Sequence, residues 1–197
     1  MIKQLGSLFI ITGASGAGKT TLVNRVIARR LGKRVITCTT RQIRVNDGIM
    51  EIDGVDYRFF TNEEFAQRLA NNEFAEYAEV YGRSYGTLKS DVEKARRSAK
   101  VVFATVDIQG AETLMRIYPD AWSIYIHVPK SELKKRLRDR GASQDSIRKR
   151  LSEYDKEWAK ANLCNEIITN EDGRLDKATK QFVSLIQFYR HTDEKYL

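Results

Sequence analysis

Gly13-Ala14-Ser15-Gly16-Ala17-Gly18-Lys19-Thr20 fits the phosphate-loop pattern G-x-x-x-x-G-K-[ST] at every fixed position. The flanks carry the matching context. Ser7-Leu8-Phe9-Ile10-Ile11-Thr12 is a short apolar run that predicts a buried strand. Thr21-Leu22-Val23-Asn24-Arg25-Val26-Ile27 continues with apolar positions at helical spacing. Glycines allow the tight turn that brings successive N–H groups around a phosphate. The helix behind starts with unpaired N–H groups and the positive end of its dipole, so anions bind there. In such a loop Lys19 reaches the β- and γ-phosphates and the Thr20 hydroxyl ligates Mg²⁺. Gly13, Ala14, Ser15, Gly16, Ala17, Gly18, Lys19, Thr20 and Thr21 are therefore the candidate contacts for a nucleoside triphosphate. The loop does not say what is done with that ligand.

A chain of 197 residues suffices for one sizeable α/β domain. Hydrophobic residues at 42% and charged residues at 30% are ordinary for a globular protein that carries its own core. No low-complexity run, internal repeat or Ser/Gly-rich linker divides the sequence. Residues 1–6 lead directly into the first apolar run and lack the pattern of a signal peptide. No apolar run approaches transmembrane length, so no membrane partner is expected. The two cysteines, Cys38 and Cys164, lack metal-ligand or redox spacing and point to a reducing, cytoplasmic setting. Lys and Arg exceed Asp and Glu by 34 to 26, a net charge of +8. The arginines cluster near the motif segments, which favours phosphorylated small molecules over nucleic acid.

Beyond the first helix, residues 34–38 read as a second strand. Two turn signals follow, Asp47-Gly48 and Asp53-Gly54, around residues 49–52. Residues 56–60 alternate like a strand. Thr61-Asn62-Glu63-Glu64 reads as a capping box opening a helix through Phe65 and Leu69. Residues 74–81 alternate apolar and acidic, as a half-exposed strand does. Residues 82–86 read as a turn, with Thr87 or Ser90 capping a helix to about Ser98. The continuous apolar run 101–107 reads as a central parallel strand ending in an acid. It also resembles a Walker-B strand, whose terminal carboxylate faces Mg²⁺ or its waters. A short helix over 110–117 and a strand over 122–128, stopped by Pro129, come next. Ser131 and Ser143 are the expected caps of two further helices, the first very basic and the second reaching about Asn162. A short strand over 166–169 and a helix over 175–190 close the chain. Alternating strands and helices at both ends imply a parallel sheet with helices on both faces. The strand-rich stretch between, from about Thr37 to Tyr85, is a candidate second-substrate site.

Within that stretch Arg41 and Arg44 lie three apart beside Thr39 and Thr40. Two guanidinium forks suit one phosphate. Tyr57 and Tyr85 carry hydroxyls for the same group. A carboxylate at Glu76 accepts two donors from a base edge, which guanine offers as N1–H and N2–H₂ and adenine does not. On composition alone Arg41 and Arg44 read equally well as solvated surface charges, and Glu76 as an outward strand residue.

These residues stand in motifs that resemble the guanylate kinase family, from Leu8 to the last helix. The motifs are Thr39-Thr40-Arg41-Gln42-Ile43-Arg44, Glu51-Ile52-Asp53-Gly54-Val55-Asp56-Tyr57-Arg58-Phe59, Glu73-Phe74-Ala75-Glu76-Tyr77-Ala78, Tyr85-Gly86-Thr87 and Asp107-Ile108-Gln109-Gly110. Arg138-Asp139-Arg140-Gly141 resembles the start of the family's lid, Arg150-Leu151 its end, and Asn170 the asparagine on the adenine side.

The resemblance implies a P-loop NTPase fold of the α/β class: a parallel sheet core flanked by helices, an inserted strand-rich nucleoside-monophosphate-binding region and a helical lid. All 197 residues form one domain, with a core of 1–36, 88–130 and 163–197, an insertion of about 37–87 and a lid of about 131–162. It implies ATP and GMP as substrates, Mg²⁺ as cofactor, and a monomer or homodimer. It puts Arg41, Arg44, Tyr57 and Tyr85 on the GMP phosphate and Thr37, Glu76 and Thr87 around the guanine, with Asp107 close by. Lys19, Arg41, Arg44, Arg140 and Arg150 are the expected catalytic cations, the last two swinging in with the lid. There are departures. Residues 45–50 are longer than the family's usual Pro-Gly, and Thr105 stands where a first acid is usual before Asp107. Thr37 replaces a common serine, and the lid from Arg140 to Arg150 is one residue short. Two other readings stay open: a kinase of another phosphorylated acceptor, and a non-catalytic guanylate-kinase-like binding domain.

Overall fold

The structure, a computed structural model, describes residues 5–195 apart from 47 and 81, with the backbone alone at 46, 49 and 191–195. Residues 1–4, Asp47 of the first turn signal and Tyr81 at the end of an expected strand lie outside the described residues. In chain order the strands are β1 (Ser7–Thr12), β2 (Lys33–Arg34), β3 (Cys38–Thr39), β4 (Val45–Asn46), β5 (Ile49–Met50), β6 (Arg58–Phe59), β7 (Phe74–Val80), β8 (Arg83–Leu88), β9 (Val101–Thr105), β10 (Trp122–His127) and β11 (Glu166–Thr169). The helices are α1 (Lys19–Ala28), α2 (Asn62–Ala70), α3 (Lys89–Ser98), α4 (Ile108–Ile117), α5 (Lys130–Asp139), α6 (Gln144–Ala159) and α7 (Leu175–Lys195).

Five strands form the core sheet in the order β11-β10-β1-β9-β2, each pair parallel. Apolar residues fill both faces of β1, because helices cover the sheet on both sides. Phe9 and Ile11 pack with α1 and α7, including Val23, Val26 and Phe182. Leu8 and Ile10 pack on the opposite side with Val92 of α3 and Leu114 of α4. Parallel register sets Ile11 beside Thr105 and Thr12 beside Tyr125. The carboxyl ends of β1, β9 and β10 therefore meet at one edge, where open α/β sheets bind ligands.

A second sheet, β6-β3-β8-β7, is built from strands within residues 38–88, and β4 pairs antiparallel with β5 in a separate hairpin. The expected strand over 34–38 is divided between the two sheets. Val35 N–H makes its bond to Phe103 O at 2.8 Å in the core, whereas Thr37 O already accepts from Arg58 N–H at 2.8 Å in the second sheet. Apolar patterning does not register a change of partner within one run. The expected turn over 82–86 shrinks to its start, since β8 begins at Arg83. Gly86 lies within that strand, where an added Cβ would stand 2.8 Å from the Phe74 ring, so its small size serves packing. Other boundaries move for local reasons. α3 starts after Leu88 with no side-chain cap, because the Thr87 hydroxyl is turned to Glu76. α5 starts after Pro129, ahead of Ser131, and α4 starts at Ile108 with Asp107 as its cap. The capping box at Thr61 and Glu64 forms as read, and Ser143 caps α6.

Helix α3 is fastened at both ends. Near its start Asp91 accepts from Arg58 Nε and Nη2 of β6 at 2.8 and 2.9 Å. Near its end the buried Arg96 donates from Nε to Gly6 O at 2.9 Å, beside β1, and pairs with Asp120.

Candidate active site

The loop 13–20 joins β1 to α1 at the convergent edge. Gly18 precedes the helix at φ 91°, a left-handed conformation that favours glycine, and no side chain caps the first turn. The opening N–H groups of α1 therefore remain available to an anion. Lys19 Nζ donates back to the carbonyl oxygens of Gly13 and of Ala14, the latter at 3.2 Å. Burial pulls the Lys19 ammonium below the usual lysine range, and the carboxylates of Glu157 and Asp107 oppose that pull. Thr20 and Thr21 are exposed in the first helical turn. Among the described residues no group of three or more His, Cys, Asp or Glu side chains could hold a metal ion. The donor set fits an ion that arrives with a triphosphate and takes one hydroxyl, from Thr20, rather than a resident metal in a protein cage.

Asn170 follows β11 and is buried. Its amide donates to Ala17 O at 2.8 Å, bracing the loop. Helices α5 and α6 also reach the loop. Arg136 of α5 donates to Asn170 O at 2.6 Å and pairs with Asp172 at 2.7 Å. Arg150 of α6 donates to the Ser15 hydroxyl. Arg140, at the end of α5, is exposed.

Arg41, in the segment between β3 and β4, is 7% exposed and held in both directions. Its two terminal nitrogens meet the two carboxylate oxygens of Glu51, each at 2.8 Å. Its guanidinium carbon lies 5.2 Å from the centre of the Tyr57 ring and 5.7 Å from that of Phe59. Glu51 also accepts from the Arg44 N–H at 2.8 Å. Burial pushes the Glu51 carboxyl up, but its hydrogen bonds from Arg41 and Arg44 outweigh that and hold it below the usual range. The Arg44 side chain is exposed, and the Tyr57 and Tyr85 rings meet edge-on at 6.3 Å. Two guanidiniums and two phenols thus border one place, with Glu51 standing where an incoming anion would compete. The sequence motif contains Glu51 but gives no sign of this task. Glu51 and Arg41 lie outside the regular elements, so no helical or strand period links them.

Glu76 of β7 is 5% exposed and accepts from the Thr87 hydroxyl across the β7–β8 pair. Burial pushes its carboxyl up to about 7, against the Thr87 hydrogen bond, and the Asp107 charge adds to the rise. An added Cβ at Gly110 would stand 2.6 Å from Glu76 Oε2, so that glycine lets the carboxylate approach α4. Asp107 accepts from the Gly110 N–H at 2.8 Å. Asp107 therefore lies between the two sides, felt electrically by Glu76 and by Lys19. The Thr105 hydroxyl is buried without a hydrogen-bond partner. Thr37 is half-buried and engages the second sheet through its carbonyl.

A parallel sheet with an intact phosphate loop, a second sheet followed by two closely spaced arginines and helices resting on the loop define a kinase of the P-loop NTPase fold. The family model for guanylate kinase matches residues 6–189. A guanylate kinase of Fusobacterium nucleatum is 37% identical over 187 residues, covering 93% of this chain and 97% of the relative. One from Hydrogenovibrio crunogenus is 40% identical over 183 residues, covering 91% and 86%. The crystal structure of guanylate kinase from Anaplasma phagocytophilum superposes with a TM-score of 0.75 at 25% identity, covering 96% of this chain and 89% of that one. The chain belongs to the guanylate kinase family.

Proposed function

We propose that the protein transfers the γ-phosphoryl group of ATP to GMP, giving ADP and GDP. The observation that carries this reading is the buried Glu76 carboxylate, paired with Thr87 and facing Asp107 across Gly110, on the acceptor side of the phosphate loop. As a carboxylate it accepts the N1–H and N2–H₂ of guanine, with Thr37 and Thr87 alongside. Arg41, Arg44, Tyr57 and Tyr85 take the phosphate of GMP, Arg41 exchanging part of its Glu51 contact for it. On the donor side the amides of 13–20 hold the phosphates and Lys19 leaves its two carbonyl oxygens for them. Thr20 would hold Mg²⁺, which would supply neutralisation of the phosphate charge. The acceptor oxygen is already anionic, so the chain supplies positioning and positive charge rather than a strong base. Arg140 and Arg150 on the lid neutralise the transferring group and keep water out. Asn170 lies on the adenine side. The free thiols Cys38 and Cys164 support a cytoplasmic setting, and no helix of the described residues is long and apolar enough to cross a membrane.

Coupled assays across GMP, dGMP, AMP, UMP and ribose phosphates test the reading. Turnover of GMP well above that of AMP and UMP is expected. Silence on GMP with turnover of another acceptor would assign the site to that acceptor instead, and the longer stretch 45–50 and Thr105 would then be the places to look.

A further inference from the structure

Helix α6 turns Ile147, Arg150, Tyr154 and Glu157 inward, at spacings of three and four that stack side chains along one side. Two of these address the phosphate loop: Arg150 donates to Ser15, and two turns on Glu157 acts electrically on Lys19. Glu157 Oε2 is screened from solvent and has no hydrogen-bond partner. The Tyr125 hydroxyl, which feels the Glu157 charge, and the Thr12 hydroxyl, in register with Tyr125, are buried and unpartnered as well. A buried carboxylate oxygen left without a hydrogen bond is costly, so its presence calls for a compensating charge. Burial pushes the Glu157 carboxyl up, the Lys19 ammonium opposes that rise, and the Asp107 and Glu153 charges add to it.

We propose that Glu157 is a positioning residue for Lys19, giving the ammonium a second hold so that it can leave the carbonyl oxygens of Gly13 and Ala14 and donate to a phosphate. Without that hold the ammonium would be unpaired in a desolvated site between leaving the carbonyls and meeting the phosphate, and once there would have the phosphate as its sole counter-charge. Because the carboxylate rides on the same helix as Arg150, the hold is in place when that arginine is on the loop.

The inference rests on Lys19 as a triphosphate ligand, and a double-mutant cycle on ATP affinity separates the two. Calorimetry without acceptor measures ATP binding to the wild type, Glu157→Gln, Lys19→Met and the double variant. Glu157→Gln is expected to weaken ATP about tenfold beside Lys19 and by less than about twofold beside Met, as coupled neighbours do. GMP affinity stays within about twofold, which a general loosening of the fold would not allow. Equal losses in both backgrounds, or tighter ATP binding in Glu157→Gln, overturn the proposal. Failure of the wild type to bind ATP strikes the reading of the loop instead. Should Glu157→Gln not fold, Glu157→Asp in the same two backgrounds replaces it. A loss confined to the Lys19 background is then expected, and equal losses in both again overturn the inference.

Discussion

On the proposed assignment, the donor and acceptor sides hold anions by different means. The loop at 13–20 relies on backbone amides and one ammonium, all from a single turn of chain between β1 and α1. The acceptor side relies on side chains from β7, β8, the segments around Arg41 and Tyr57, and the start of α4, brought together by a separate sheet. The donor side leaves its first helical turn uncapped, while the acceptor side fills its charges in advance: Glu51 holds Arg41 and Thr87 holds Glu76. A site of backbone tolerates change in its surroundings, and a site of paired side chains depends on each partner.

The largest effect that would break this contrast concerns the donor. Lys19→Ala is expected to lower turnover by about 10²–10³, as loss of one preorganised charge contact does, with the melting temperature preserved. Full activity in that variant would remove the ammonium from the chemistry. Next comes the acceptor carboxylate. Glu76→Gln is expected to raise KM for GMP by about 10–100-fold, the range for a charged hydrogen bond, and to narrow the preference over AMP. An unchanged preference would place base reading elsewhere. In the wild type KM for GMP should climb as pH falls through about 7, because the carboxylate is then protonated, and the variant should lack that limb. Stability carries the opposite sign. The folded carboxyl titrates above its ordinary 4.5, so the folded state holds the extra proton and stability from this group is lost as pH rises from there through about 7. Glu76→Gln should therefore gain on the wild type by about 3 kcal/mol between pH 4 and pH 8; parallel stability profiles would contradict it.

A last effect sharpens the contrast. Glu51→Gln strips the nearly buried Arg41 of its counter-charge and is expected to cost about 3 kcal/mol of stability. Because a phosphate can replace the lost carboxylate, GMP should raise the melting temperature more in this variant than in the wild type. Equal shifts would mean that Arg41 does not meet the acceptor.

The two sides were also unequally legible. Residues 7–27 show strand, loop and helix because each step is encoded by neighbours in sequence. The acceptor residues Arg41, Tyr57, Glu76 and Thr87 stand out as a family pattern, but the Arg41–Glu51 pair was invisible, since a bond between side chains ten apart in irregular chain has no periodic trace. The division of 34–38 between two sheets was hidden because both partners accept the same apolar pattern. Glu157 reads as one more acid on a charged helix; its spacing of seven from Arg150 was the available signal, and it has meaning only once α6 rests on the loop.

Helix α3 gives the molecule an axle. It is bolted to the acceptor sheet through Asp91 and Arg58 and to the root of the core through Arg96 and Gly6, and it follows β8 without a single spare residue. Any rocking of the second sheet toward the loop must twist the backbone at residue 88 or drag the axle along. Arg58 and Arg96, remote from the proposed nucleotide contacts, thus tie one helix to both sheets.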